Sequence, residues 1–225
     1  MRKSAKHNFT FLLGGLLFLC VLVPGLRLLH GTISEINLLR SLTLVGYSLF
    51  SLISLWSLYR EALIFRIGLW LTGFILLLTG IAHVIPHHAI ILSVLILVIV
   101  FSALSCFIAG RHVFSLRDTD ANSLTGAICV YLLLGVIWAL LYEALALIWT
   151  DGLFQGLSLA GEDIHTDDFL YFSFVTLTTA GYGDITPTNP FVRTLTYLEM
   201  ITGQFYMAIL VSGLVAHFMG QRLSK

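Results

Sequence analysis

The chain has 225 residues, of which 58% are hydrophobic and 11% charged, with a mean hydropathy of +0.95. Soluble domains carry charge on about a quarter of their residues, so this composition excludes an ordinary water-soluble globule. The 12 Lys and Arg balance 12 Asp and Glu, which removes the electrostatic footprint of a nucleic-acid binder.

A helix of about 20 apolar residues crosses a bilayer, so the length accommodates about six spans and little else. The apolar runs predict spans over Phe9 to Leu29, Leu38 to Tyr59, Ala62 to Val84, Ala89 to Ala109, Ser123 to Trp149 and Phe191 to Met219. The basic start before the first run also has the order of a signal peptide. Val23-Pro24-Gly25-Leu26-Arg27 makes a poor cleavage site, however, and an uncleaved first helix is expected. The three cysteines, Cys20, Cys106 and Cys129, lie inside apolar runs and read as small buried hydrophobes.

Basic residues set the expected orientation. With the N-terminus inside, Arg2, Lys3, Lys6, Arg60, Arg66, Arg111, Arg117, Arg222 and Lys225 are cytoplasmic, and only Arg27, Arg40 and Arg193 are outside. Both termini are therefore expected in the cytoplasm, with the protein in a plasma or inner membrane. The outer side then collects Asp151, Glu162, Asp163, Asp167, Asp168 and Asp184. Such an acidic vestibule concentrates cations.

Between the last two runs lies a less hydrophobic stretch, Thr150 to Asn189. Its part from Asp167 to Thr178 is long enough for three turns of helix, with two carboxylates at the start, where they suit the helix dipole. That is too short to span a bilayer, so it is expected to enter and return. Non-helical backbone at such depth is tolerated only where protein buries it or it lines a watery path. Gly181-Tyr182-Gly183 then offers backbone angles closed to other residues.

Thr178-Thr179-Ala180-Gly181-Tyr182-Gly183-Asp184 resembles the selectivity-filter signature of the potassium channel superfamily, commonly Thr-Val-Gly-Tyr-Gly. The resemblance extends from the fifth span to the C-terminus. Together with the six apolar runs, it points to an all-α membrane protein of six spanning helices, with the resemblance implying a re-entrant pore helix and filter between the fifth and sixth. Residues 1–120 would form a four-helix membrane domain and 121–225 the pore domain. Carbonyls of Thr179, Ala180, Gly181 and Tyr182, with the Thr179 hydroxyl, would replace the water shell of K+. Gly183 would complete the strand, and Thr178, Asp184, Tyr171 and Glu199 would support it. Four strands are needed and one chain has one, so a homotetramer in the lipid bilayer is implied. The permeant ion is K+, and no cofactor is expected.

Two positions depart from the pattern. Ala180 replaces the usual Val or Ile, and Val175 stands where some members carry a bracing Glu. Tyr171 is placed to hydrogen-bond Asp184. In the last helix, Gly203 matches the family's hinge glycine, with a packing role as the alternative. Gln204, Met207, Val211, Val215 and Met219 would face the pore, the last two near a cytoplasmic mouth. Glu199 would face the back of the pore helix and bond Thr176 or Thr178. Glu143 is expected to snorkel toward the interface.

The fourth run, Ile90 to Ile108, contains no Arg or Lys, so a voltage sensor, which needs several charges in the field, is not expected. Nor is a ligand-gating module expected after Met219. His83, His87 and His88 share an outer loop and His165 precedes the pore helix, which suggests proton sensing. Three histidines also permit a metal, although no nearby carboxylate or cysteine completes a site. The sequence thus reads as a passive potassium channel. A weakly selective cation channel and a non-conducting subunit or scaffold stand as alternatives. A membrane enzyme lacks any catalytic constellation and leaves the filter segment unexplained.

Overall fold

The computed structural model describes residues 9–30, 45–47, 49–52, 54, 62–85, 87–115, 121–149, 152–157 and 166–223. Long stretches rich in Leu, Ile and Val form helices here because a helix pairs its own backbone groups, which apolar surroundings would otherwise leave unsatisfied. Four of them precede the polar stretch or flank it on its N-terminal side: α1 (Phe9–His30), α2 (Ala62–Val84), α3 (His88–Ser115) and α4 (Ala121–Ile148). After them come a two-residue strand β1 (Phe154–Gln155), a 12-residue helix α5 (Thr166–Leu177), a strand β2 (Thr186–Pro187) and the 34-residue α6 (Pro190–Leu223).

Among the described residues, three helical segments are long and apolar enough to cross a membrane: Phe65–Ala82, His88–Arg111 and Leu124–Ile148. The expected second span falls largely outside the described residues, although 45–47, 49–52 and 54 within it are helical. Helix α2 has the bounds of the expected third span, and α1, α3, α4 and α6 are helices over the first, fourth, fifth and last expected runs, with ends shifted by at most six residues. The largest extension is α3, which runs on through Arg111 to Ser115.

The helix ends follow local chemistry. Asn189 Oδ1 accepts from the Phe191 amide at 2.8 Å and Pro190 occupies the first turn, a side-chain cap followed by a residue with no amide to satisfy. His87 caps α3 through Nδ1, which accepts from the Ala89 amide at 3.2 Å.

Helix α4 is the centre of the packing. α1, α3 and α5 all lie against it, and α1 also touches α5. The core is continuous from Leu12, Leu16 and Leu19 of α1 through Val94, Leu95 and Val98 of α3 to Leu133, Leu140 and Tyr142 of α4. It ends on Phe169 and Phe172 of α5. Near the segment that follows α5, β1 and β2 pair antiparallel, Phe154 opposite Pro187 and Gln155 opposite Thr186. The Thr188 amide adds a bond to the Leu153 carbonyl at 2.9 Å.

Phe154 anchors this outer clamp. Its ring meets those of Tyr142, Phe169 and Phe172 edge-on, at centroid distances of 5.7, 5.5 and 5.2 Å. Edge-to-face rings align the positive rim of one with the negative face of another. Removing the ring in Phe154→Ala opens a cavity among three aromatics. Thermal unfolding in detergent should show a loss of about 3–5 kcal/mol.

Candidate functional site: the turn after the short helix

Helix α5 opens with Asp167 and Asp168 in its first turn and ends at Leu177. Carboxylates at one end and bare carbonyls at the other both suit the dipole, whose negative end therefore faces the segment that follows. That end closes with a Schellman cap. The Thr179 amide bonds the Thr176 carbonyl at 2.9 Å and the Ala180 amide bonds the Val175 carbonyl at 2.9 Å. The Gly181 amide also reaches Val175, at 3.3 Å.

Such a cap puts its first non-helical residue in the left-handed region, a place usually taken by glycine. Here it is Thr179, with φ of 60°. The same hand returns at Gly181 (φ 55°) and Gly183 (φ 78°), whereas Ala180 and Tyr182 have ordinary negative φ. Open space surrounds both glycines where a Cβ would stand. They are required for backbone angle and not for room. Such an alternation of backbone hand is the condition under which neighbouring carbonyls can face one side instead of alternating as in a strand, as the filter resemblance implies for this segment. A row of carbonyls is a ligand set for a hard cation and for little else.

Beyond the row, Tyr171 donates to Asp184 Oδ2 at 2.6 Å, as the sequence suggested, and the Ile185 amide donates to Oδ1 at 3.0 Å. The tyrosine hydrogen bond holds the Asp184 carboxyl below the ordinary carboxylate range, and the Ile185 amide adds to the effect. The same bond pushes the Tyr171 hydroxyl up to about 12.

At the inner end, Gln204 Nε2 donates to Thr179 Oγ1 at 2.9 Å, so this expected pore residue pins the first side chain of the row. The Thr178 hydroxyl donates back to the Phe174 carbonyl at 2.6 Å. Gly203 sits where α6 crosses the end of α5, and a Cβ there would collide with the Leu177 carbonyl oxygen. Gly203 thus makes a close packing contact, and α6 runs unbroken through it. Met207 is exposed. The side chains of Val211, Val215 and Met219 lie outside the described residues, as do His165 and the side chain of His83.

Two expectations are corrected. Glu199 does lie behind α5, but its partners are Tyr142 and Ser173, not Thr176 or Thr178. Thr178 spends its hydroxyl on its own helix instead. Glu143 is not snorkelling: it is 8% exposed and accepts from the Tyr47 hydroxyl at 3.2 Å. His87 and His88 are exposed, and no three metal-ligating side chains gather among the described residues.

Sequence reasoning missed Phe154, Ser173 and Tyr142. The available signals were an isolated Leu153-Phe154 pair in a polar stretch and a tyrosine hydroxyl inside an apolar run, which must find a partner.

Residues 124–219 match a family described as an ion channel. A 60-residue stretch is 42% identical to "Two pore potassium channel c" of Oryza sativa subsp. japonica, covering 27% of this chain and 13% of that protein. No solved structure matches. The matched region runs from α4 through the turn into α6, so the turn lies within the part of this membrane protein that is similar to ion channels. The family match takes in the Thr178 to Asp184 segment, and the chain spans only a small part of the rice protein's length.

Gly203→Ala should lower stability by about 1–3 kcal/mol, because backbone on both sides must yield; unfolding in detergent reads this directly. Tyr171→Phe acts on the other end. Because the Tyr171 hydrogen bond holds Asp184 below the ordinary carboxylate range, this pair stabilises fully above that range and ceases to as pH falls through the lowered value. Without the hydroxyl, Asp184 should take up its proton at a higher pH, measurable by carboxyl NMR titration. An unshifted titration would deny Tyr171 its control of the carboxyl.

Proposed function

We propose that four copies of this chain form a potassium-selective channel that conducts passively and performs no covalent chemistry. The observation that carries the reading is the alternation of backbone hand at Thr179, Gly181 and Gly183, directly beyond the carbonyl end of α5. One row of carbonyls leaves an ion open on its remaining sides, whereas four rows around an axis replace its water.

The tetramer finds support on α6. Tyr197, Ile201, Phe205 and Ile209 recur every fourth residue and are 52, 46, 66 and 52% exposed in the single chain. Four-residue spacing makes them one stripe of the helix, suited to a neighbouring copy under closed symmetry. In this arrangement six helices cross the membrane, α5 and the row enter from outside and return, and both termini are cytoplasmic. K+ sits between the carbonyls of Thr179, Ala180, Gly181 and Tyr182, with the Thr179 hydroxyl innermost. Gln204, Met207, Val211, Val215 and Met219 line the inner path. Residues 1–120 serve as a membrane scaffold around the pore domain of 121–225.

Ala180 favours one competing reading, a weakly selective cation channel, because its small side chain packs less behind the row. Purified protein reconstituted in planar bilayers separates the two. The reversal potential in opposed K+ and Na+ gradients should lie near the K+ equilibrium value; a value near zero favours the weakly selective channel. Replacing both Gly181 and Gly183 with alanine should abolish rubidium flux, because each alanine would need a left-handed backbone. Persistent flux, or a monomer by cross-linking, refutes the proposal.

A further inference from the structure

We infer that Glu199 is a neutral carboxylic acid that donates its proton to Ser173, forming the centre of a hydrogen-bonded chain that positions α5 and the carbonyl row. The assignment concerns this chain alone; its consequence for conduction rests on the channel reading above.

The argument is a count of protons. Ser173 Oγ stands 2.8 Å from the Gly135 carbonyl oxygen and 2.5 Å from Glu199 Oε1. Both distances require a hydrogen between the oxygens, and a serine hydroxyl supplies one. The Gly135 carbonyl has none to give, so the serine hydrogen goes there. The hydrogen of the second contact must then come from Glu199. On the other side of the carboxyl, the Tyr142 hydroxyl donates to Oε2 at 2.7 Å. The chain runs Tyr142 to Glu199 to Ser173 to the Gly135 carbonyl, one hydrogen per link and no two donors opposed.

The surroundings agree. Glu199 has 0% exposure. Ser173 and Tyr142 hydrogen-bond it and the Tyr131 hydroxyl lies within electrostatic reach, and among the described residues no cationic side chain acts on it. A carboxylate there would lie in apolar surroundings without a countercharge, which the acid form avoids.

The chain also has a mechanical sense. Gly135 and Tyr142 stand two turns apart on α4, Ser173 lies mid-way along α5, and Glu199 belongs to α6. A Cβ at Gly135 would strike the Phe174 ring, so α4 and α5 meet at close range there. Three helices are thus tied at the waist of α5, about two turns before the row begins. Glu199 is a positioning residue: it acts through Ser173 and touches no ion.

Infrared spectroscopy of the purified full chain tests the assignment. Near neutral pH the wild type should show the C=O band of a protonated carboxyl, shifted down in D2O and absent from Glu199→Gln. Glutamine offers an acceptor to Tyr142 and a donor to Ser173, so Glu199→Gln should fold and keep rubidium flux near wild type. Glu199→Ala strands both hydroxyls and should lose flux about tenfold or more. If the alanine variant does not fold, the spectrum and the glutamine variant still decide. Absence of a Glu199-dependent band overturns the inference, as does a glutamine variant that fails to fold or is as inactive as alanine. A wild type that shows the band but carries no flux leaves the proton on Glu199 and removes the channel reading instead.

Discussion

Everything in the pore segment depends on a reversal of backbone hand at the end of α5. A helix directs its carbonyls along its axis and a strand alternates them, so neither presents consecutive oxygens to one side. The row obtains that arrangement by starting from a Schellman cap, whose first outer residue is left-handed, and repeating the hand at Gly181 and Gly183. The first position is taken by a β-branched residue, at a cost of about 1–3 kcal/mol. Thr179 is held in it by its own amide, by the Ala180 amide and by Gln204 on its hydroxyl. Glycine would relieve the angle but remove the hydroxyl that Gln204 holds.

Such a row has no ladder of its own, and its rigidity comes from its frame. At the outer end, the paired β1 and β2 hold the chain leaving the row, and Phe154 roots that clamp among the rings of α4 and α5. At the inner end, α6 crosses at Gly203 so closely that backbone meets backbone. Tyr206 ties α6 to α4 by donating to the Ala127 carbonyl. A disturbance of α6 therefore reaches Thr179 over a short, stiff path, through Gly203 on Leu177 and through Gln204 on the hydroxyl.

The buried acids Glu143 and Glu199 both answer to tyrosines. Tyr142 of α4 turns toward α5 and α6 to meet Glu199, while the next residue, Glu143, turns the other way to accept from Tyr47. Adjacent positions on a helix point in different directions, so one turn of α4 serves the pore unit on one side and the N-terminal helices on the other. The first helices are thus joined to the pore through α4, by apolar packing supplemented with a buried hydrogen bond.

Much of this was written in the sequence. Length, hydropathy and the run from Thr178 to Asp184 determined a membrane protein, the helices and the location of the left-handed turn after α5, because bilayer thickness and the geometry of glycine act locally. The pairing of Tyr171 with Asp184 was also legible, since the family pattern places them together. The tertiary structure alone decided who meets Glu199, where Glu143 goes, that Gly203 is a contact and that Phe154 is an anchor. Those outcomes depend on which faces of α4, α5 and α6 meet. In uniformly apolar helices hydropathy does not mark one face over another, so close packing and the need of each buried hydroxyl for a partner make the choice.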